Sequence, residues 1–224
     1  MLIVLPPSET KAPGGVAAPM SLSFPQLDPI RTLLIDDLRS HPITTPATKQ
    51  AEAAENLTLL DAPVMPAVLR YTGVLYEALD APTLPEDALD RLAVGSALFG
   101  LVRATDTIPR YRLSAGTKLA GQTMRSRWGS AITDVLSRQG FVVDLRSGAY
   151  QQLGPAPGAV TVRVEQADTG KVISHFNKKY KGELARTLVT SPDIDTAASV
   201  GDIAEIASTH FRVDIRGEQL VLLI

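Results

Sequence analysis

Leu2–Leu5 is an uninterrupted apolar run, and Pro6 and Pro7 stop it at once. Four residues are too few for a helix, and the prolines remove the N–H groups that would extend one. The run therefore reads as a buried strand, and "PPSETKAPGG" after it as a loop rich in turn residues. A chain that begins with a strand apolar on both faces must cover it on both sides, which draws the reading toward layered α/β architectures.

The rest of the chain supplies the covering elements. Spaced Leu and Ile predict a helix over 25–39, and "PATKQAEAAENL" predicts another over 46–57. "AVLRY" (67–71) reads as a strand leading through Thr72-Gly73 into the helix "VLYEALD". Thr83 with Pro85 marks a helix start running to about Ala93. Gly95 and Gly100 bracket a small apolar segment, a tight passage between elements. "RYRLSAG" suggests a short strand and turn, and residues 122–139 the longest helix, ended by Gly140. "FVVDLRS" reads as a strand; "AVTVRVEQ", "ADTG" and "KVISHF" as a hairpin; 200–207 as a short helix; "HFRVDI", "RGE" and "QLVLLI" as a final hairpin. Strands and helices alternate irregularly, with hairpins late. The expected fold class is α/β (mixed α+β), one domain over 1–224 with a mixed sheet and flanking helices, rather than a doubly wound parallel sheet.

Several chemistries are excluded. The chain has no cysteine, so disulfides, thiol nucleophiles, zinc-thiolate sites and iron–sulfur ligation are absent. The motifs G-x-S-x-G, Walker A and G-x-G-x-x-G do not occur. His41, His175 and His210 are far apart and share no ligand spacing, so neither a metal nor a cofactor is expected. Direct iron binding would require carboxylates such as Asp36 and Asp37 to gather. The N-terminal apolar run is too short for a signal-peptide core, no segment approaches a membrane span, and a cytoplasmic location is the default expectation.

Charge is placed unevenly. The formal net charge is −2, yet residues 1–102 carry 6 Lys/Arg against 12 Asp/Glu, residues 103–146 carry 8 against 3, and residues 171–186 carry 5 against 1. Two basic blocks behind an acidic front suggest a local positive surface suited to phosphate or nucleic acid; solvated helix faces are the alternative.

Particular residues stand out within this pattern. Ser8, Glu9, Thr10 and Lys11 put hydroxyls, a carboxylate and an amine in one loop past a strand end, where α/β folds often place function; a helix cap or solvated turn is the plain alternative. Arg103, Arg110 and Arg112 lie in "RATDTIPRYRLSAG"; in an extended segment Arg110 and Arg112 share a face and could fork onto phosphates, or else form salt bridges with the acidic front. Arg125 and Trp128, three apart on a helix, suggest either a base-stacking platform or a core tryptophan beside a snorkelling arginine. In "FNKKYKGELAR", Asn177 reads as an N-cap and Tyr180, Leu184 and Leu188 as the buried stripe. Lys178, Lys179 and Lys181 then crowd the positive end of the helix dipole, at a cost of roughly a few tenths to one kcal/mol each unless an anion sits there or they simply extend into water. Lys179 and Arg186 fall together, with Glu183 in reach of Lys179.

Taken in order, "LPPSETK", "YTGVLYEAL", "GSALFGLVRATDTIPRYRLSAG", "RWGSAIT", "LRSGAY" and "ISHFNKKYKGELARTLV" resemble the YaaA-like peroxide-stress family over nearly the whole chain. The resemblance implies a helix-hairpin-helix-like element and a positively charged cleft. It implies binding to duplex or branched DNA with little sequence preference, and protection against peroxide by limiting iron and its damage. Carried over by motif, it implicates the Ser8–Lys11 loop, Tyr76, Arg103, Arg112, Trp128, Ser147, Tyr150, and Lys178, Lys179, Lys181 and Arg186; Gly95 and Gly100 are where the hairpin element is expected. DNA binding of this kind predicts a steep dependence on salt. The alternative is an enzyme acting on a small phosphorylated or nucleotide-like molecule, with Ser8, Glu9, Lys11, Arg112, Ser147 and Tyr150 in one pocket. No membrane partner is expected under either reading.

Overall fold

Leu2–Leu5 forms strand β1, with all four residues buried. The computed structural model describes residues 1–43, 46–173 and 176–224. From β1 the chain passes through a long loop into α1 (Asp28–Ser40), α2 (Gln50–Ala54), β2 (Val64–Pro66), α3 (Ala67–Arg70), α4 (Val74–Leu79) and α5 (Glu86–Leu89). There follow β3 (Leu92–Ser96), β4 (Gly100–Arg103), β5 (Thr107–Pro109), β6 (Lys118–Leu119), β7 (Gln122–Thr123), α6 (Met124–Trp128) and α7 (Ala131–Leu136). The last third holds β8 (Val142–Asp144), α8 (Gly148–Leu153), β9 (Val160–Glu165), α9 (Asn177–Val189), α10 (Val200–Ser208), β10 (Arg212–Arg216) and β11 (Gln219–Leu223).

Seven strands form one mixed sheet in the order β10-β11-β9-β8-β1-β3-β4. β1 runs parallel to both β3 and β8, β8 to β9, and β9 to β11. Only the edge strands β4 and β10 are antiparallel to their neighbours. The mixed α/β class is as the sequence indicated, and its late hairpin is the β10–β11 edge. The parallel centre explains why the inner strands read as unbroken Leu, Ile and Val: they are covered on both faces. The chain leaves β1 toward β3 on one side and returns to β8 on the other. Such a reversal opens a crevice beyond the carboxyl ends of the two diverging strands.

Other segments depart from expectation. Residues 67–70 form helix α3, not a strand. A short apolar stretch cannot distinguish the two by pattern, and the helical turn here delivers Arg70 into the interior. That guanidinium, fully buried, donates to the carbonyls of Ala12, Gly14, Pro63 and Ile108. The helix expected over 122–139 is split into α6 and α7 at Gly129. The return strand of the "KVISHF" hairpin contributes an isolated bridge between Glu165 and Val172; Ser174 and His175, part of that expected strand, lie outside the described residues.

Gly95 and Gly100 do not join helices. They lie in β3 and β4, paired antiparallel, so the passage is a β-hairpin at the sheet edge and not a helix-hairpin-helix element. Their lack of side chains serves packing. A Cβ on Gly95 would come 2.7 Å from Cδ of Arg146, and one on Gly100, whose φ is +72°, 2.8 Å from the Trp128 ring. Trp128 itself is 1% exposed and donates its indole N–H to the Ala97 carbonyl at 2.9 Å. It is core, and no base can stack on it.

We predict that Gly100→Ala destabilises the protein by about 2–4 kcal/mol, from steric overlap with Trp128 added to left-handed backbone strain. Trp128 is the single tryptophan, so its fluorescence should report a lower urea midpoint with an unchanged slope. A wild-type midpoint would contradict this packing.

Candidate functional site

Beyond β1 the two prolines turn the chain across the sheet's carboxyl rim. Tyr76, on α4, is buried and donates its hydroxyl to the Pro6 carbonyl at 2.8 Å, pinning the turn. The loop then runs back beside the segment that follows α3, with Lys11 and Tyr71 in an antiparallel bridge and the Ala12 N–H on the Arg70 carbonyl at 2.8 Å. This folds Lys11 inward. Its ammonium donates to the carbonyls of Ser8 (3.1 Å) and Glu9 (3.4 Å), and lies 4.4 Å from the Tyr111 ring centre and 5.4 Å from that of Tyr71. Behind it the hydroxyls of Tyr71 and Tyr111 bond at 2.7 Å, and that of Tyr111 reaches Ser96 Oγ, at the end of β3, at 2.7 Å.

The end of β8 supplies the opposite wall. Asp144 and Arg146 form a buried two-pronged ion pair, at 2.8 Å and 2.9 Å, and Arg146 also donates to the carbonyls of Tyr150 and Gly154. This fixes α8, which carries Tyr150 and follows directly on Ser147. From across the rim, Lys181 on α9 reaches in and donates to the Leu145 carbonyl at 3.0 Å.

Two adjoining lobes result. One, of about 130 Å³, is lined by Ser8, Lys11, Tyr111, Arg112 and Thr117 among others. The other, of about 480 Å³, is lined by Leu145, Ser147, Asn177, Lys178 and Lys181 among others. Pro7, Glu9, Ser114 and Tyr150 border both. The larger lobe has the size of small-molecule and cofactor sites, about 300–1,000 Å³, and the smaller has room for a compact polar group beside it.

Burial governs the charges here. Desolvation, aided by the nearby Arg112 charge and opposed by Glu52 and Glu9, lowers the Lys11 amine to about 7. Desolvation likewise lowers Lys181 to about 8, with Asp144 acting against it. Burial raises the Tyr150 hydroxyl, so it stays protonated at neutral pH. Both lysines therefore stand near the boundary between ammonium and amine, which is unusual for this side chain.

Of the residues singled out from sequence, Ser8, Glu9, Lys11, Arg112, Ser147, Tyr150, Lys178 and Lys181 come together around this cleft. The others lie elsewhere or serve the fold. Arg110 pairs with Glu55 at 2.6 Å and Arg112 with Glu52 at 2.9 Å, the salt bridges to the acidic front that were the alternative to a phosphate fork. Arg103 donates to the Asp90 carbonyl and lies over the Phe24 ring. Arg125 is exposed on α6, Lys179 pairs with Glu183 at 3.6 Å, and Arg186 donates to the carbonyls of Leu79 and Asp80. Asn177 is the first residue of α9 rather than its cap, and Lys181 belongs to the buried face. Sequence reasoning passed over Arg146, Asp144 and Ser114; an Arg two residues after an apolar strand's terminal Asp was the available signal for the first two. Among the described residues no three His, Cys, Asp or Glu gather to hold a metal ion, and Asp37 is tied to Arg127. Among them, too, no helix is long and apolar enough to cross a membrane.

The family model described as peroxide stress protein YaaA matches residues 1–215. The chain belongs to that family. It is 54% identical to a UPF0246 protein of Corynebacterium efficiens over 100% of both chains. It is 51% identical to one from Corynebacterium glutamicum, over 92% of this chain and 93% of the relative. A third, from Streptomyces coelicolor, is 40% identical over 85% and 84%. Within this YaaA family member the segments that carried the resemblance "LPPSETK", "LRSGAY" and "NKKYKG" meet at the cleft just described.

The buried lysines set a pH dependence. Between about 7 and the ordinary lysine value, the folded chain binds fewer protons at Lys11 than the unfolded chain does. Stability contributed by this group therefore rises with pH across that window, and the full cost of burying the ammonium is felt below it. We predict that Lys11→Met flattens the rise of stability from pH 7 to 10, read from urea midpoints at each pH. An unchanged slope would show that Lys11 is not titrating in this range.

Proposed function

We propose that this peroxide-stress protein binds nucleotide phosphates in the two-lobed cleft, with DNA as their source, and so limits iron-dependent damage to the bound strand. One observation supports the reading most directly: Lys11, Arg112, Lys178 and Lys181 border a cleft whose lining holds a single carboxylate, Glu9. Lys178 opens on it from the first turn of a 13-residue helix, where free N–H groups and ammonium both favour an anion. The dipole cost that these lysines carry in the empty protein changes sign once phosphate oxygens arrive.

The size of the lobes argues for a single nucleotide of an unpaired or branched strand rather than a duplex lying flat. The number of available cations argues the same way. Arg103, Arg110, Arg112, Lys179 and Arg186 already have protein partners, and Lys11 and Lys181 are buried on backbone carbonyls, which leaves Lys178 as the exposed cation of the cleft and the two buried lysines as contributors to its field. One to three phosphate contacts to a single strand give a salt slope between roughly −0.7 and −2, shallower than the two basic blocks alone would imply. Neutralising phosphates also releases counterions condensed on the bound strand, and this release is the link to protection in this reading.

A second reading has its own support. Lys11, Ser8, Ser114, Thr117 and Tyr150 in the smaller lobe are more polar groups than phosphate contact requires, and they favour a small phosphorylated or nucleotide-like substrate acted on by an enzyme. A cytoplasmic location suits either.

Lys178→Glu and Lys179→Glu change net charge equally but differ in position. We predict that the first weakens binding of single-stranded or branched DNA about tenfold and flattens its salt slope by about one, while the second leaves both near wild type. Fluorescence anisotropy across a salt series measures this. Equal losses in both variants, or none, would sink the nucleic-acid reading; stabilisation by free mononucleotides alone would favour the second.

A further inference from the structure

Lys11 is placed unlike a phosphate-binding lysine. A lysine that serves as a point charge extends into solvent or toward its anion. Lys11 is 8% exposed, shielded by the Tyr71 and Tyr111 rings, and held by two backbone carbonyls, those of Ser8 and Glu9. Those carbonyls account for two N–H bonds. The third position on nitrogen is either the ammonium's last proton or the lone pair of a neutral amine. The same side chain lines the smaller lobe of the cleft, beside Ser8, Glu9 and Tyr150. No role in binding phosphate requires an amine so deeply desolvated, and nucleophilic chemistry does.

We propose that Lys11 forms a reversible imine with the aldehyde of a phosphate ester, the aldehyde in the smaller lobe and the phosphate in the lobe lined by Lys178. This deepens the phosphate-binding reading above and rests on it. The lone pair of Lys11 Nζ bonds to the aldehyde carbon, and the carbonyl π pair moves to oxygen, which takes up one proton from nitrogen. The resulting carbinolamine then expels that oxygen as water with the second nitrogen-borne proton, leaving a C=N bond. Amine and aldehyde thus become imine and water, with no oxidant or co-reactant. Glu9 and Tyr150 border both lobes and are the side chains at hand to relay protons from nitrogen to oxygen. The charged and titratable groups around the amine are Arg110 and Arg112, Glu9 and Glu52, and the hydroxyls of Tyr71, Tyr111 and Tyr150. Desolvation and Arg112 keep the amine form accessible at neutral pH, whereas an exposed lysine near 10.4 is almost wholly ammonium.

Pyridoxal 5′-phosphate is a suitable probe, because it joins an aldehyde to a phosphate and its imine absorbs visibly. The full-length protein is incubated with it, reduced with borohydride, and the labelled peptide located by mass spectrometry. The expected adduct lies on Lys11, forms at least about tenfold faster than with pyridoxal lacking the phosphate, and gains rate as pH rises through about 7. Lys11→Arg should lose the visible band. Labelling spread over exposed lysines such as Lys118, Lys171 and Lys179 with Lys11 unmodified would overturn the proposal, and this mapping on the native chain decides the matter even if the variant misfolds. If pyridoxal 5′-phosphate raises the melting temperature without labelling Lys11, this inference fails and the phosphate reading survives. If no phosphate compound binds, both fail. Parallel trapping with glyceraldehyde 3-phosphate and with a duplex containing an abasic residue separates the two sources of such an aldehyde: an adduct at Lys11 with only the first assigns a free sugar phosphate, and one with the second assigns damaged DNA.

Discussion

A guanidinium and a carboxylate shut away from water set the geometry of the upper rim. Asp144 ends β8, and Arg146, two residues later, folds back onto it through two hydrogen bonds. Such a pair gains little over a well-packed apolar substitute, yet losing one partner strands the other charge at about 3–5 kcal/mol. Its value here is positional. The spare N–H groups of Arg146 hold the carbonyls of Tyr150 and Gly154, and its stem fills the space that Gly95 leaves vacant. One side chain therefore couples the ends of β8 and β3 to α8, and so fixes the wall from which Ser147 and Tyr150 face the cleft.

The same device recurs. Arg31 gives its donors to the carbonyls of Ser23, Phe99 and Leu101 and to Asp28, and Arg70 gives its donors to four carbonyls on three separate segments. A planar fork of five donors suits the gathering of loop carbonyls that no strand or helix satisfies. In a fold where a loop of more than twenty residues separates β1 from α1, these arginines replace the ladder hydrogen bonds that the loop lacks. It follows that counts of Lys and Arg along the chain overstate the charge offered to a ligand, because much of the cation content is internal structure.

This explains what could be read in advance. Ser147 and Tyr150 are singled out through the family resemblance, whereas the N-terminal strand, the mixed sheet, the closing hairpin and the candidacy of the Ser8–Lys11 loop follow from apolar runs, breakers and strand-end position. Those are local signals, and the fold respects them. Arg110, Arg112, Trp128 and the Gly95–Gly100 passage were misjudged or left open because their roles depend on partners distant in sequence: Glu55, Glu52, the Ala97 carbonyl and Arg146. Charge and aromaticity alone do not reveal whether a side chain faces water. Lys181 is the sharpest case. It sits three residues from an exposed lysine in a basic run, and only the packing of α9 against the rim decides that it is buried.

Two buried amines at one cleft also bear on why the chain tolerates them. Methionine would fill either position with similar volume and no charge to desolvate. Each lysine instead lowers stability near neutral pH, since its affinity for protons falls on folding. Lys11 and Lys181 arrive from opposite ends of the sequence and opposite walls, yet both are anchored by carbonyls of loops leaving adjacent parallel strands. A purely structural anchor at these points would be better served by arginine, as Arg31, Arg70 and Arg146 show in the same molecule. Among the buried cations of the described residues, the two lysines border the cleft and Arg31, Arg70 and Arg146 do not: guanidinium stands where a permanent charge gathers many carbonyls, amine where burial has lowered the affinity for the proton.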